Sequence, residues 1–204
     1  MPFASARLIA LKDRATESKG GDLYLNPGSL TDGQSVRFSP VGDKALDYYE
    51  IWVDIGDKRK PLRFAEKPTD KELAAILEDN GAVLKEDKYG RVPYPKLAMA
   101  FWAWNYETSS IQLFSANQVT ILETLASLMS DEDVAADPGA WDFELSRTGT
   151  ADTTRYSLIL KPGKRKGAVA KEVQAAWEEC EANGYNLQAL LVGGDPFKPA
   201  GEIF

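Results

Sequence analysis

The chain has 204 residues, 44% hydrophobic and 27% charged, which is enough for one substantial core and too balanced for wholesale disorder. It contains no His and a single Cys, Cys180, so the commonest general base, an intramolecular disulfide and a Cys/His zinc site are all removed. The net charge of −7 argues against a uniformly basic surface, so any nucleic-acid site has to be local.

Residues 1–33 are polar and Gly-rich, with Gly20, Gly21, Pro27, Gly28 and Gly33, and read as an arm or loop with room for a short strand at 6–11. A strand follows at 34–39, with Val36 and Phe38 on one face and Arg37 on the other, and Pro40 and Gly42 end it. The next strand, 46–55, sets Tyr49, Ile51, Val53 and Ile55 against Tyr48, Glu50, Trp52 and Asp54. A turn at Gly56 and Asp57 leads through Lys58, Arg59 and Lys60 to a strand at 62–66 with Arg63 facing away from Leu62 and Phe64.

Thr69 and Glu72 make a T-x-x-E capping box, so a helix starts there and stops near Asn80 and Gly81. A polar loop leads to Pro93 and Pro95. Strand 97–106 places Leu97, Met99, Phe101 and Ala103 on one face and Ala98, Ala100, Trp102, Trp104 and Tyr106 on the other, and it forms a hairpin with 111–114. Asn117 caps a helix whose apolar stripe is Ile121, Leu122, Leu125, Leu128 and Met129, and an acidic loop covers 131–140. A second hairpin joins 141–147 to 154–160. Val169, Val173, Trp177 and Cys180 fall at helical spacing, and a short apolar piece lies at 187–192.

This order of elements is mainly β with added helices, an α+β chain. A five-stranded barrel of the oligonucleotide-binding type with helical and hairpin additions fits the count, and so does an unrelated small barrel. We divide the chain into an arm at 1–33, a core at 34–162 and a C-terminal helix and tail at 163–204. The N-terminus has no basic segment followed by an apolar run, and no stretch approaches the about 20 apolar residues of a membrane span, so the expectation is a soluble cytoplasmic protein.

Strict alternation puts Arg37, Tyr48, Trp52 and Arg63 on one outward face, with Lys58, Arg59 and Lys60 beside it. Aromatic rings offer stacking surfaces and cations hold phosphates, which is what a single-stranded nucleic-acid site requires. Packing of Tyr48 and Trp52 under the arm or a helix is the alternative. Trp104 and Tyr106 either line the same groove or pack under the 117–130 helix, while Trp102 and Tyr156 read as core. Arg155 faces out, toward phosphate or toward a surface salt bridge. No Ser-His-Asp triad is available, and no Gly-rich phosphate loop with its Lys is present, so no catalytic residues, cofactor or metal are assigned.

The stretch Phe101-Trp102-Ala103-Trp104-Asn105-Tyr106-Glu107-Thr108, then Ile111-Gln112-Leu113, resembles a stretch in phage-type single-stranded DNA-binding proteins. So do the Asp137-Pro138-Gly139, Trp141-Asp142-Phe143 and Thr154-Arg155-Tyr156 that follow. The upstream Val36-Arg37-Phe38, Tyr49-Glu50-Ile51-Trp52 and Pro61-Leu62-Arg63-Phe64 keep the same order. The resemblance covers roughly 30–162. It implies an oligonucleotide-binding fold that coats single-stranded DNA in phage replication, recombination or repair. Some phage proteins of this function carry a structural zinc, for which this chain lacks the ligands. Many end in an acidic tail closed by Phe that docks replication proteins. Phe204, with Ile203 and Asp195-Pro196-Phe197, resembles that tail, although the acids here are few. The competing expectation is a non-catalytic interaction module of a phage or mobile element, its aromatics in the core.

Overall fold

The computed structural model describes residues 23–137, 140–164 and 166–199. Strands β1 (Tyr24–Leu25), β2 (Ser35–Ile55), β3 (Lys58–Phe64), β4 (Ala82–Val83), β5 (Lys96–Asn105), β6 (Ser110–Ala116), β7 (Trp141–Thr148) and β8 (Arg155–Pro162) form one mixed sheet. Its path runs β1-β6-β5-β2-β7-β8, with β3 and β4 joined to β2. Helices α1 (Asp70–Asp79), α2 (Val119–Met129), α3 (Glu132–Ala136) and α4 (Ala168–Ala182) complete an α+β architecture, with three short 3-10 turns among the described residues. Among the described residues no helix is long and apolar enough to cross a membrane.

The two strands expected at 34–39 and 46–55 are one 21-residue strand, β2. Pro40 and Gly42 bend it instead of ending it. Pairing with β5 jumps from Pro40–Ala103 to Ala45–Phe101, so four residues of β2 oppose one of β5. Gly42 takes φ +71, and its α-carbon faces Trp177 so closely that an added Cβ would lie 2.7 Å from that ring. The bulge also reverses parity. Even-numbered Val36 and Phe38 face the first core, whereas beyond the bulge even-numbered Leu46 and Tyr48 face the opposite side.

Both sides of the sheet are covered. On the first, Phe38, Phe101, Phe114 and Phe143 pack with Leu145, Leu158 and the α2 residues Ile121 and Leu125. On the second, Tyr48, Trp102, Trp104 and Leu113 pack under Val173 and Cys180 of α4 and under Leu187 and Leu190 of the 3-10 turn Leu187–Val192. Burial pushes the Cys180 thiol up to about 11. The C-terminal segment is therefore a lid on the sheet. Phe197 belongs to it, edge-on to Tyr24, Trp102 and Tyr185, so Asp195-Pro196-Phe197 is packed and not a free docking tail.

The capping box forms as expected: Thr69 Oγ1 accepts from the Glu72 amide and Glu72 returns to the Thr69 amide. Three local expectations change. Gln118 and not Asn117 precedes α2, and it makes no side-chain cap. The 131–140 loop holds a short helix, α3, capped by Asp131. Residues 24–30 belong to the core, since β1 pairs parallel to β6 and Leu25 and Leu30 are buried. The possible strand at 6–11 and Phe204 lie outside the described residues.

Candidate nucleic-acid surface

Of the residues offered to the groove, Tyr48 and Trp104 are buried, and Arg37 and Tyr106 are half-buried and bonded to Asp142. Tyr48 is 1% exposed, its hydroxyl 2.9 Å from Ser115 Oγ, and burial raises its pKa. Trp104 is 2% exposed in the second core. Arg37 Nε donates to Asp142 Oδ2 at 2.8 Å, and its NH2 donates to the Pro162 carbonyl. Tyr106 Oη donates to Asp142 Oδ1 at 2.8 Å, with Lys164 Nζ 5.5 Å from its ring. Alternation groups these residues correctly by face, but α4 and the 3-10 turn Leu187–Val192 cover Tyr48 and Trp104 on that face, and Asp142 of β7 ties down Arg37 and Tyr106.

The β2–β3 hairpin is different. Its register pairs Glu50 with Arg63, Trp52 with Pro61 and Asp54 with Arg59, which puts Trp52, Arg59 and Arg63 on one face. Trp52 is 43% exposed. Its Nε1 donates to Glu50 Oε1 at 2.8 Å, while Glu50 Oε2 accepts from Arg63 Nε at 2.9 Å. One carboxylate thus fixes both the indole and the guanidinium. The Arg59 guanidinium lies 5.8 Å from the indole centroid, a cation–aromatic pair open to solvent. Lys58 and Lys60 are exposed but pair with Ile55 and Val53, so they lie on the reverse face of the hairpin. Arg155 is exposed at the start of β8, where NH1 donates to the Thr154 carbonyl.

Sequence reading passed over two further aromatics in the segment between β4 and β5. Lys96 pairs with Glu50, so the chain just before it enters the sheet at the edge of the Trp52 platform. Tyr94, 63% exposed, has Lys96 Nζ 5.9 Å from its ring. Further out, Asp87 organises a tight turn. Its Oδ1 accepts from the Tyr89 and Arg91 amides, and its Oδ2 accepts from Arg91 Nε at 2.7 Å. The tip residue Tyr89 is 62% exposed, with Lys88 Nζ 4.9 Å and the Arg91 guanidinium 5.0 Å from its ring. The available signal was an aromatic next to a cation, twice, in a Gly- and Pro-punctuated loop.

Hydrogen bonds from the Arg91 side chain and amide hold the Asp87 carboxyl at about 2, below its ordinary 3.8. A depressed carboxyl contributes stability above its unfolded value and loses it as pH falls through the folded one. The 87–91 turn therefore keeps its amide chemical shifts from neutral pH down to about 4 and opens with a midpoint near 2. An opening midpoint near the ordinary 3.8 in an NMR titration would contradict the Asp87–Arg91 geometry.

Among the described residues no group of three or more His, Cys, Asp or Glu is set to hold a metal ion. Cavities of about 450 and 570 Å³ flank the β2 bulge, and neither is lined by Trp52, Arg59 or the Tyr89 loop. The candidate surface is thus an open platform instead of a pocket. No family model matches the sequence, and neither curated proteins nor solved structures give a significant match.

Proposed function

We propose that this chain is a sequence-tolerant single-stranded DNA-binding protein that coats strands in replication, recombination or repair and catalyses nothing. The observation that carries the reading is Trp52, an exposed indole pinned by Glu50 and flanked by Arg59 on a rigid hairpin. A base stacked on such a ring is sequence-tolerant because every base has a π-face, and the neighbouring cations serve phosphates. Tyr94 with Lys96 extends the same chemistry along the sheet edge. The overall charge of −7 is compatible with local binding, since Arg59 shares the exposed Trp52 face of the hairpin and Lys58 and Lys60 add positive charge on its reverse.

The oligonucleotide-binding-type barrel belongs to this proposal. What supports it is β2, bent at its bulge, with β5 and β4 along one edge and β7 and β3 along the other. A phage origin, a cytoplasmic site of action and docking of replication or recombination proteins through Phe204 rest on the sequence resemblance.

Titrating intrinsic Trp fluorescence with oligo-dT at two salt concentrations, with RNA in parallel, tests the reading. Binding quenches the emission and weakens steeply with salt. Absence of quenching at low salt overturns it. Trp52→Ala weakens binding of a labelled oligo-dT by about 5- to 150-fold, the equivalent of about 1–3 kcal/mol of stacking. An unchanged affinity moves the site off the hairpin.

A further inference from the structure

The segment between β4 and β5 touches the rest of the sheet at three points. At its start Lys85 Nζ lies 2.6 Å from Asp54 Oδ2 on β2. At its tip Lys88 Nζ lies 2.7 and 2.8 Å from the two carboxylate oxygens of Asp152, and Tyr89 Oη donates to Asp152 Oδ2 at 3.2 Å. At its end Lys96 pairs with Glu50. Asp152 belongs to the turn Ala151–Thr153 that joins β7 to β8. The loop therefore spans from the Trp52 hairpin to the β7–β8 turn, and three residues after Asp152 the exposed Arg155 begins β8.

The two contacts at the tip differ in kind. The Asp87–Arg91 turn is built from the loop's own backbone and side chains, so the backbone that carries Tyr89 is fixed within the loop, and the Tyr89 hydroxyl on Asp152 sets the ring. A preformed aromatic loses little conformational freedom when a base stacks on it. The Lys88–Asp152 pair is instead 61% and 67% exposed, and exposed pairs are weak and exchange readily with other anions. A phosphodiester presents the same chemistry to Lys88 as the Asp152 carboxylate, an anionic oxygen acceptor for an ammonium.

Resting on the single-strand reading above, we infer that the Tyr89 tip is a second stacking station for the strand and that Asp152 is an internal anion occupying Lys88 until a phosphate displaces it. The strand then runs from Trp52 past Tyr94 to Tyr89, with Lys96, Lys88 and Arg91 beside it. Asp152 lowers the affinity of this end and makes its engagement the step that a stronger ligand has to win.

Anisotropy titrations of a labelled oligo-dT with wild type and variants test this. Tyr89→Ala weakens binding about 5-fold or more. Asp152→Asn tightens it about 2–5-fold at low salt and steepens the slope of log affinity against log salt by about 0.7, because Lys88 then neutralises a phosphate with release of a counterion. In a Lys88→Ala background the Asp152→Asn gain disappears. If the gain persists there, it comes from the general field and the latch is overturned. If wild type binds and Trp52→Ala weakens binding while Tyr89→Ala and Asp152→Asn behave as wild type, the second station fails and the hairpin platform stands. If wild type binds no single strand at low salt, the functional reading fails and this inference falls with it. All these side chains are solvent-facing, and far-UV circular dichroism confirms the fold of each variant.

Discussion

Asp142→Ala lowers the stability of the protein by about 3–5 kcal/mol, read as a shift of the urea midpoint followed by Trp fluorescence. Asp142 is fully buried, and its carboxylate serves three donors: the Arg37 guanidinium, the Tyr106 hydroxyl and the Lys164 amide at 3.0 Å. Removing it leaves a charge and two polar hydrogens without their acceptor, and the penalty is their desolvation more than the loss of the bonds themselves. Arg37 keeps 23% exposure, so water recovers part of its cost and the lower end of the range is expected. Asp142→Asn keeps the shape and one acceptor, and loses less. The measurement also separates two roles for Arg37. A structural Arg37 means that folded Asp142→Asn protein binds oligo-dT as wild type does. A loss of stability below about 1 kcal/mol would show that the cluster is not holding β2 to β7.

Phe38→Ala costs about 3–5 kcal/mol, and the upper part of that range is expected. Phe38 is fully buried, with ring centroids 5.1 Å from Phe114, 5.8 Å from Phe143 and 6.3 Å from Phe101. Its backbone is paired on both edges, with Asn105 of β5 and with Phe143 of β7. A site clamped by two ladders relaxes little around the missing ring, and the cost of such a deletion rises with the cavity left behind. Phe38→Leu keeps most of the volume and gives up chiefly the ring–ring term, about 0.5–1.5 kcal/mol. The two variants compared in one thermal or urea series test the packing argument. Equal losses would mean that the aromatic stack, and not the clamped cavity, dominates.

Both experiments concern residues whose neighbours lie far away in sequence, and this separation divides what the sequence shows from what it hides. The capping box at Thr69 and Glu72 is a local hydrogen-bond pattern and forms as written. The β5–β6 and β7–β8 hairpins follow from alternation and short turns, and their registers keep Trp102 and Trp104 together on one face of β5. The hairpin site was partly legible for the same reason: period-2 alternation unites Trp52 with Arg63, and the register adds Arg59. The same alternation separates Lys58 and Lys60 from Trp52, although their charges read as one run with Arg59.

The sequence by itself therefore determined the fold class, the three longer helices, the hairpins, and which side chains share a face within each regular stretch of strand. Those properties depend on contacts within a few residues and on the two periodicities of the backbone. Only the tertiary structure decided which faces meet water. A strand's alternation is the same whether its second face is bare or roofed, and the roof over Tyr48 and Trp104 comes from α4 and the 3-10 turn at Leu187–Val192, more than sixty residues downstream. The bulge of β2 adds a second reason, because residues 41–44 exchange the faces of all that follows, and a Pro and a Gly there read in sequence as an end. Trp52 remained outside because it lies beyond that roof, at the far end of β2 where β3 and the Tyr89 loop carry the exposed cations.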